Sequence, residues 1–362
     1  MHSRQLRPLP TSTFYTSDTS SRYVFELSRR CRDLITRHLG QSLTNPDDTK
    51  MRDVNRSLLA LAFYVGGFPD KRYSILDKLQ VRRISGHKSD LSQHPYLMHT
   101  SLAVAFTYDR YIHGTIHSGR TLEECFHWHR GTALLSERLQ KPIKPQDKDA
   151  IWGTSAALAI MTVSSPDARS PDQAWPLRRQ CSADLDWLGM LNGKMSLWAV
   201  FDPLRPDSIF RTLTTTYAQM SSPLPERGTN GIPAALASLG KLHHDSTPES
   251  NPYFLATHAV SQLFLIPDQE VSLGQIPVFT RTICGSFETL LKEKDPAALL
   301  LLYLWYRKAS RGTWWIELRA RVECPAIRLY LESYHKDDAA IHAILVRADG
   351  NNEWLHSDLG HV

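Results

Sequence analysis

Carboxylates gather in one stretch, DLDWLGMLNGKMSLWAVFDPLRPDSIF, which covers residues 184–210 and holds Asp184, Asp186, Asp202 and Asp207. Two carboxylates whose surroundings push their pKa values apart can act as a general acid and a general base. Asp186 and Asp202 are the candidates for that work, and His99, on a separate segment, is a third group able to move a proton. The same residue types also have a structural reading. Asp184 and Asp186 precede a run with Leu185, Leu188 and Leu191 at helical spacing, where the helix dipole favours acids. Asp202-Pro203 and Pro206-Asp207 bracket a tight corner, and Arg205 between them is placed to pair with an aspartate and tie the corner to a neighbour. Burial decides between catalysis and structure, and residue type alone favours structure.

The apolar residues of that stretch carry a second signal. Trp187, Met190, Met195 and Trp198 recur within it, Phe201 follows, and Met98, Phe106, Trp152 and Met161 stand elsewhere. Such a set commonly builds plain core. It can also line a pocket for a flat apolar ligand, because methionine adapts its shape and aromatic rings supply broad contact area. Trp187, Met190, Met195 and Trp198 are therefore expected on the wall of such a pocket, with Met98 opposite.

Other chemistries lack their residue patterns. His127 and His129 are two apart on an expected helix and so face different ways. His243, His244 and Asp245 adjoin in a loop with no fourth ligand in register. The 5 cysteines are widely spaced without a C-x-x-C pair, which argues against a zinc cluster or a disulfide framework and for a reducing compartment. No H-E-x-x-H, G-x-S-x-G, kinase signature or strand-borne phosphate loop occurs. The expectation is a site without metal or cofactor.

Helical periodicity dominates the elements that must position these residues. Apolar side chains recur at helical spacing over 24–39, 57–65, 95–113 and 121–139, and DKDAIWGTSAALAIMTV, introduced by Asp147, is apolar nearly all round. Asn251-Pro252 and Asp295-Pro296 introduce two further helices. Residues 311–334 continue in helical register with a break expected at Cys324-Pro325, and only AIHAILVRA near the end has strand character. Pro-rich loops cover 165–176, 221–233 and 243–252. These patterns predict an all-α fold, a multi-helix orthogonal bundle around a hydrophobic pocket. One domain is expected over 21–362, after an extended or disordered segment at 1–20.

Composition fits an ordinary globular chain, with 42% hydrophobic and 22% charged residues. Its 42 Lys and Arg against 37 Asp and Glu leave a charge of +5 spread along the chain, without the clustering of a nucleic-acid footprint. The N-terminus lacks a secretory apolar core, and the run AALLLLYLWY is about half the length a bilayer requires. No membrane span is expected.

Five blocks stand in a telling order: HPYLMHTSLAVAFTYDRYI, ECFHWHRGTALLSERL, DKDAIWGTSAALAIMTV, DLDWLGMLNGKMSLWAVFDPLRPDSIF and LLLYLWYRKASRGTWWIELRARVECPAIRLYL. Over about residues 94–335 they resemble the C-terminal regulatory domain of fungal zinc-cluster transcription factors of the sterol uptake control type. The resemblance implies an all-α domain that pairs as a homodimer and encloses a pocket for a sterol, whose binding controls passage into the nucleus. It also implies an intracellular location, in cytoplasm or nucleus. The family's six-cysteine DNA-binding module has no counterpart here, so direct DNA binding by this chain is not expected. A stand-alone enzyme on the same fold is the alternative: a cofactor-independent cyclase or isomerase acting on a terpenoid or polyketide through Asp186, Asp202 or His99.

Overall fold

A computed structural model describes residues 94–113, 119–166 and 168–349. The helices expected over 24–39 and 57–65 and the segment expected at 1–20 lie outside the described residues. Within them every regular element is a helix or a 3-10 turn, so the class is all-α.

Helix α1 (Pro95–His113) starts on proline, whose missing N–H has no intrahelical partner to lose at that position. It packs along α2 (Leu122–Leu139), which opens with a capping box. The Thr121 hydroxyl accepts from the Glu124 N–H at 3.2 Å, and the Glu124 carboxylate accepts from the Thr121 N–H at 2.6 Å. Arg110 of α1 reaches the same fully buried carboxylate at 2.9 Å and joins the two helices. Their backbones come close at Gly131, where an added Cβ would lie 2.6 Å from Thr100 Cγ2. Asp147, expected as a helix-start signal, lies just before α3 (Lys148–Val163). Its carboxylate pairs with Arg138 and accepts from the Lys144 N–H at 3.0 Å, so it fastens the end of α2 to the start of α3.

The acidic stretch forms α4 (Asp186–Ser196), the single turn α5 (Trp198–Phe201) and a corner. Asp202 closes α5 in the left-handed region, with φ 39°. Arg205 then pairs with Asp149 of α3 at 2.7 Å, and Ser208 donates to the same oxygen at 2.8 Å. This is the tie expected of Arg205.

The chain continues through α6 (Thr214–Met220), α7 (Ala234–Leu239), α8 (Phe254–Phe264), α9 (Pro277–Thr280), α10 (Gly285–Lys292), α11 (Pro296–Ala309), α12 (Trp314–Tyr334) and α13 (Ala339–Asp349). Helix α11 is the central rod. Asp295 caps it by accepting from the Ala298 N–H at 2.9 Å, and Leu299, Leu302, Trp305 and Tyr306 have no exposed surface.

Two expectations need correction. Helix α12 does not break at Cys324-Pro325 but runs through Pro325. The proline removes one backbone hydrogen bond. The helix persists because Ala326, Ile327 and Leu331 are buried and i,i+4 ion pairs, Glu317–Arg321 and Arg328–Glu332, hold both sides of the gap. Nor is AIHAILVRA a strand. Ile341, Ile344, Leu345 and Ala348 form a buried i, i+3, i+4, i+7 stripe, and Asp338 accepts from the Ala340 N–H at 3.0 Å to start α13.

One buried charge knits four helices. Arg319 of α12 donates to the carbonyls of Val163 at 2.9 Å and Thr162 at 3.1 Å, which caps the end of α3. It pairs with Glu323, and its guanidinium lies 5.1 Å from the ring centre of Trp187 on α4. Glu323 in turn accepts from the Tyr306 hydroxyl of α11 at 2.6 Å. Burial and the Glu323 charge push the Tyr306 pKa well up, so the hydroxyl stays a donor.

An Arg319→Met substitution keeps much of the volume but strands Glu323 and frees the α3 carbonyls. It is expected to cost about 3–5 kcal/mol in urea unfolding. A loss below about 1 kcal/mol would mean that the network is not a structural support.

Candidate ligand cavity

The core has two main clusters, and they do not fully close on each other. Leu97, Trp152, Phe210 and Tyr217 belong to the smaller, while Val104, Ala157, Leu188, Ile276 and Trp315 belong to the larger. All of them line a single cavity of about 730 Å³.

Small residues make the space. On α3 the cavity lining includes Gly153, Ala156, Ala157 and Ile160, which form an i, i+3, i+4, i+7 row in which only the last is bulky. Opposite them α4 presents Leu188, Gly189, Asn192 and Met195. A Cβ added at Gly189 or Gly193 would meet nothing within 4 Å. The Asn192 amide donates to the Thr280 carbonyl at 2.9 Å and pins α4 to α9.

Ser182, Asp186, Met195, Ser221, Arg281, Cys284 and Lys292 are exposed and form the mouth. Its cations are already engaged. Lys292 pairs with Glu288 at 2.5 Å, and Arg281 donates to the carbonyls of Met220 at 2.6 Å and Ser222 at 2.8 Å. Deeper in, Trp152 Nε1 donates to the Tyr217 hydroxyl at 2.9 Å. Burial pushes the Tyr217 pKa up to about 12, so this phenol keeps its proton.

The structure distributes the sequence-derived candidates unevenly. Met195 and Asp186 border the cavity. Trp187 does not, because its side chain turns to the core. There it is 3% exposed, 6.1 Å from the Trp305 ring and beneath Arg319. Met190 is 43% exposed on the surface. Trp198 packs edge-on against Trp152 and Tyr217, at 5.6 and 4.8 Å, outside the lining. Met98 is half-buried on α1, and its neighbour Leu97 is the lining residue. Of the three candidate acid–base groups only Asp186 reaches the cavity; Asp202 is exposed on its corner and His99 lies against α2. No catalytic group of three is assembled from them.

The residues that reading from sequence missed are the α3 row and Tyr217. A signal for the row existed: GTSAALAI places its small side chains on one face of a helix otherwise rich in bulky ones. Tyr217, in a short polar segment, had none.

His127 is buried and His129 exposed, as their spacing requires, and His243, His244 and Asp245 are exposed. Among the described residues no three His, Cys, Asp or Glu side chains are grouped to hold an ion. Nor is any helix among them long and apolar enough to cross a membrane. No family model, curated protein or solved structure matches the chain.

His99 and His127 meet across the α1–α2 contact, Nδ1 to Nδ1 at 2.8 Å, so one ring donates and the other accepts. Burial pulls both pKa values down, His99 to about 4 and His127 to about 3. Both rings are neutral when folded and take up protons on unfolding below the ordinary value of 6.5. Their contribution is therefore intact above that pH and is lost as pH falls towards 4. Replacing His127 with Phe is expected to flatten the fall of unfolding free energy between about pH 6 and 4.5, by up to about 1.4 kcal/mol per pH unit. Parallel curves for the variant and the parent would refute the assignment.

Proposed function

We propose that the chain is a ligand-binding regulatory domain that takes up a sterol or another apolar small molecule in the cavity between α1, α3, α4 and α6. One observation carries this reading: a cavity of about 730 Å³ with a largely apolar lining, reaching from an exposed mouth in between the helices. Protein interiors normally pack to a density of about 0.75 and leave few voids larger than a water molecule. Small-molecule pockets measure about 300–1,000 Å³, with mostly apolar walls and a few placed polar groups. An occupant of that kind accounts for the small side chains along α3.

The regulatory part of the proposal rests on the resemblance of the five sequence blocks to the sterol uptake control domains. On this reading the domain works inside the cell, in cytoplasm or nucleus, as a homodimer. It responds to its ligand and makes no DNA contact through these residues.

A plugged cavity separates binding from folding. Gly189→Phe adds a large side chain at a lining position where a Cβ would meet nothing within 4 Å, and it replaces a poor helix former by a better one. The parent protein should bind the apolar fluorophore Nile red saturably, and Gly189→Phe should weaken that binding at least about tenfold without lowering the unfolding temperature. Equal binding by both proteins would place the dye elsewhere and remove the support for the cavity.

A further inference from the structure

The two cations that line the cavity mouth are held in different ways. Lys292 has a carboxylate partner, Glu288, one turn back on α10. Arg281 has none among the described residues: its terminal nitrogens donate to neutral carbonyls, of Met220 at 2.6 Å and of Ser222 at 2.8 Å. Those bonds fix the guanidinium against the end of α6, leave its charge unbalanced and leave further N–H groups to donate. Partial burial pulls the Arg281 pKa below its ordinary value, and no carboxylate offsets that pull. The arginines that tie other elements together differ in this respect, since Arg205 meets Asp149, Arg110 meets Glu124 and Arg319 meets Glu323. The two carboxylates of the lining do not serve Arg281. Glu288 is taken by Lys292. The Asn192–Thr280 bond sets Arg281 beside the later part of α4, and Asp186 lies at the start of that helix, about 9 Å along its axis from Asn192.

We infer that Arg281 receives the carboxylate of an amphipathic acid whose apolar body fills the cavity, so that the ligand enters body first and its head group stays at the mouth. This rests on the reading of the cavity as a ligand site and specifies the head group which that site selects. A guanidinium presents its N–H donors in one plane, a geometry that matches the two oxygens of a carboxylate. Its two backbone bonds hold that plane in place before any ligand arrives, so little side-chain freedom is lost on binding. A carboxylate at the mouth keeps part of its hydration and gains a counter-ion. Carried to the apolar inner end, it would lose its water with nothing to replace it. The ligand class is thus a monoacid with a long or cyclic hydrocarbon body, bound in preference to its own neutral ester.

The test compares acids with their methyl esters: dodecanoate with methyl dodecanoate and retinoate with methyl retinoate, each displacing Nile red from the full chain at neutral pH and low salt. At least one acid should displace the dye about tenfold more effectively than its ester, the worth of a hydrogen bond to a charged group. Arg281→Gln should bring that acid down to the level of its ester, with the unfolding temperature showing that the variant is folded. The parent protein gives a second reading. Raising the ionic strength from about 0.01 M to about 1 M shortens the Debye length from about 30 Å to about 3 Å and should cut the acid's advantage at least about threefold. If Arg281→Gln does not fold, the salt series alone decides. Esters that displace as well as the acids, an advantage that ignores salt, or one that survives Arg281→Gln in a folded variant overturns the head-group assignment and leaves the apolar cavity standing. If no probe of either kind displaces the dye from the parent protein, both readings fall together.

Discussion

Arg319 is the constraint on which the arrangement depends. A guanidinium cannot be neutralised inside a protein, so its burial forces partners onto it from every side. It takes the last carbonyls of α3, the Glu323 carboxylate one turn along α12 and the face of Trp187 on α4, and Glu323 extends the set to Tyr306 on the central helix. Side chains of hydrophobic packing can slide or exchange rotamers at small cost. These contacts are directional, and they fix the relative position of the two helices, α3 and α4, that face each other across the cavity.

The cavity follows from what lies between those helices. Two packed clusters meet along a seam lined on α3 by Ala156 and Ala157, while Gly153 lets the Phe210 ring approach to 3.2 Å from where its Cβ would lie. On the far side the Arg205–Asp149 tie, the Asn192–Thr280 bond and the Arg281 grip on residues 220 and 222 hold the surrounding loops outward. The space is therefore framed by polar ties to the backbone, and its shape does not rest on apolar contact alone.

Much of the fold was legible in the sequence because helical period and start signals are local. The helical spacing over 95–113 and 121–139 falls on α1 and α2, and Asp295-Pro296 marks a helix start that the structure keeps. Pro325 misled because burial and flanking ion pairs outweigh one missing hydrogen bond. The site was less legible. Large side chains attract attention, but Trp187 and Trp198 serve the packed side of their helices, and the cavity is defined by residues that leave room. Absence of volume has little signature in a sequence unless small residues fall in a helical row, as they do from Gly153 to Ala157. Tyr217 was beyond reach because its role comes from Trp152, a partner 65 positions away.

The two glycines of α4 give that helix an unusual dependence. Each weakens a helix interior by about 1 kcal/mol relative to alanine, and neither contributes a contact. In isolation so short a segment would not stay helical. Its order is borrowed from Trp187 against the core and from Asn192 against α9. One side of the pocket is thus a segment that owes its helix to contacts with its neighbours and not to its own sequence.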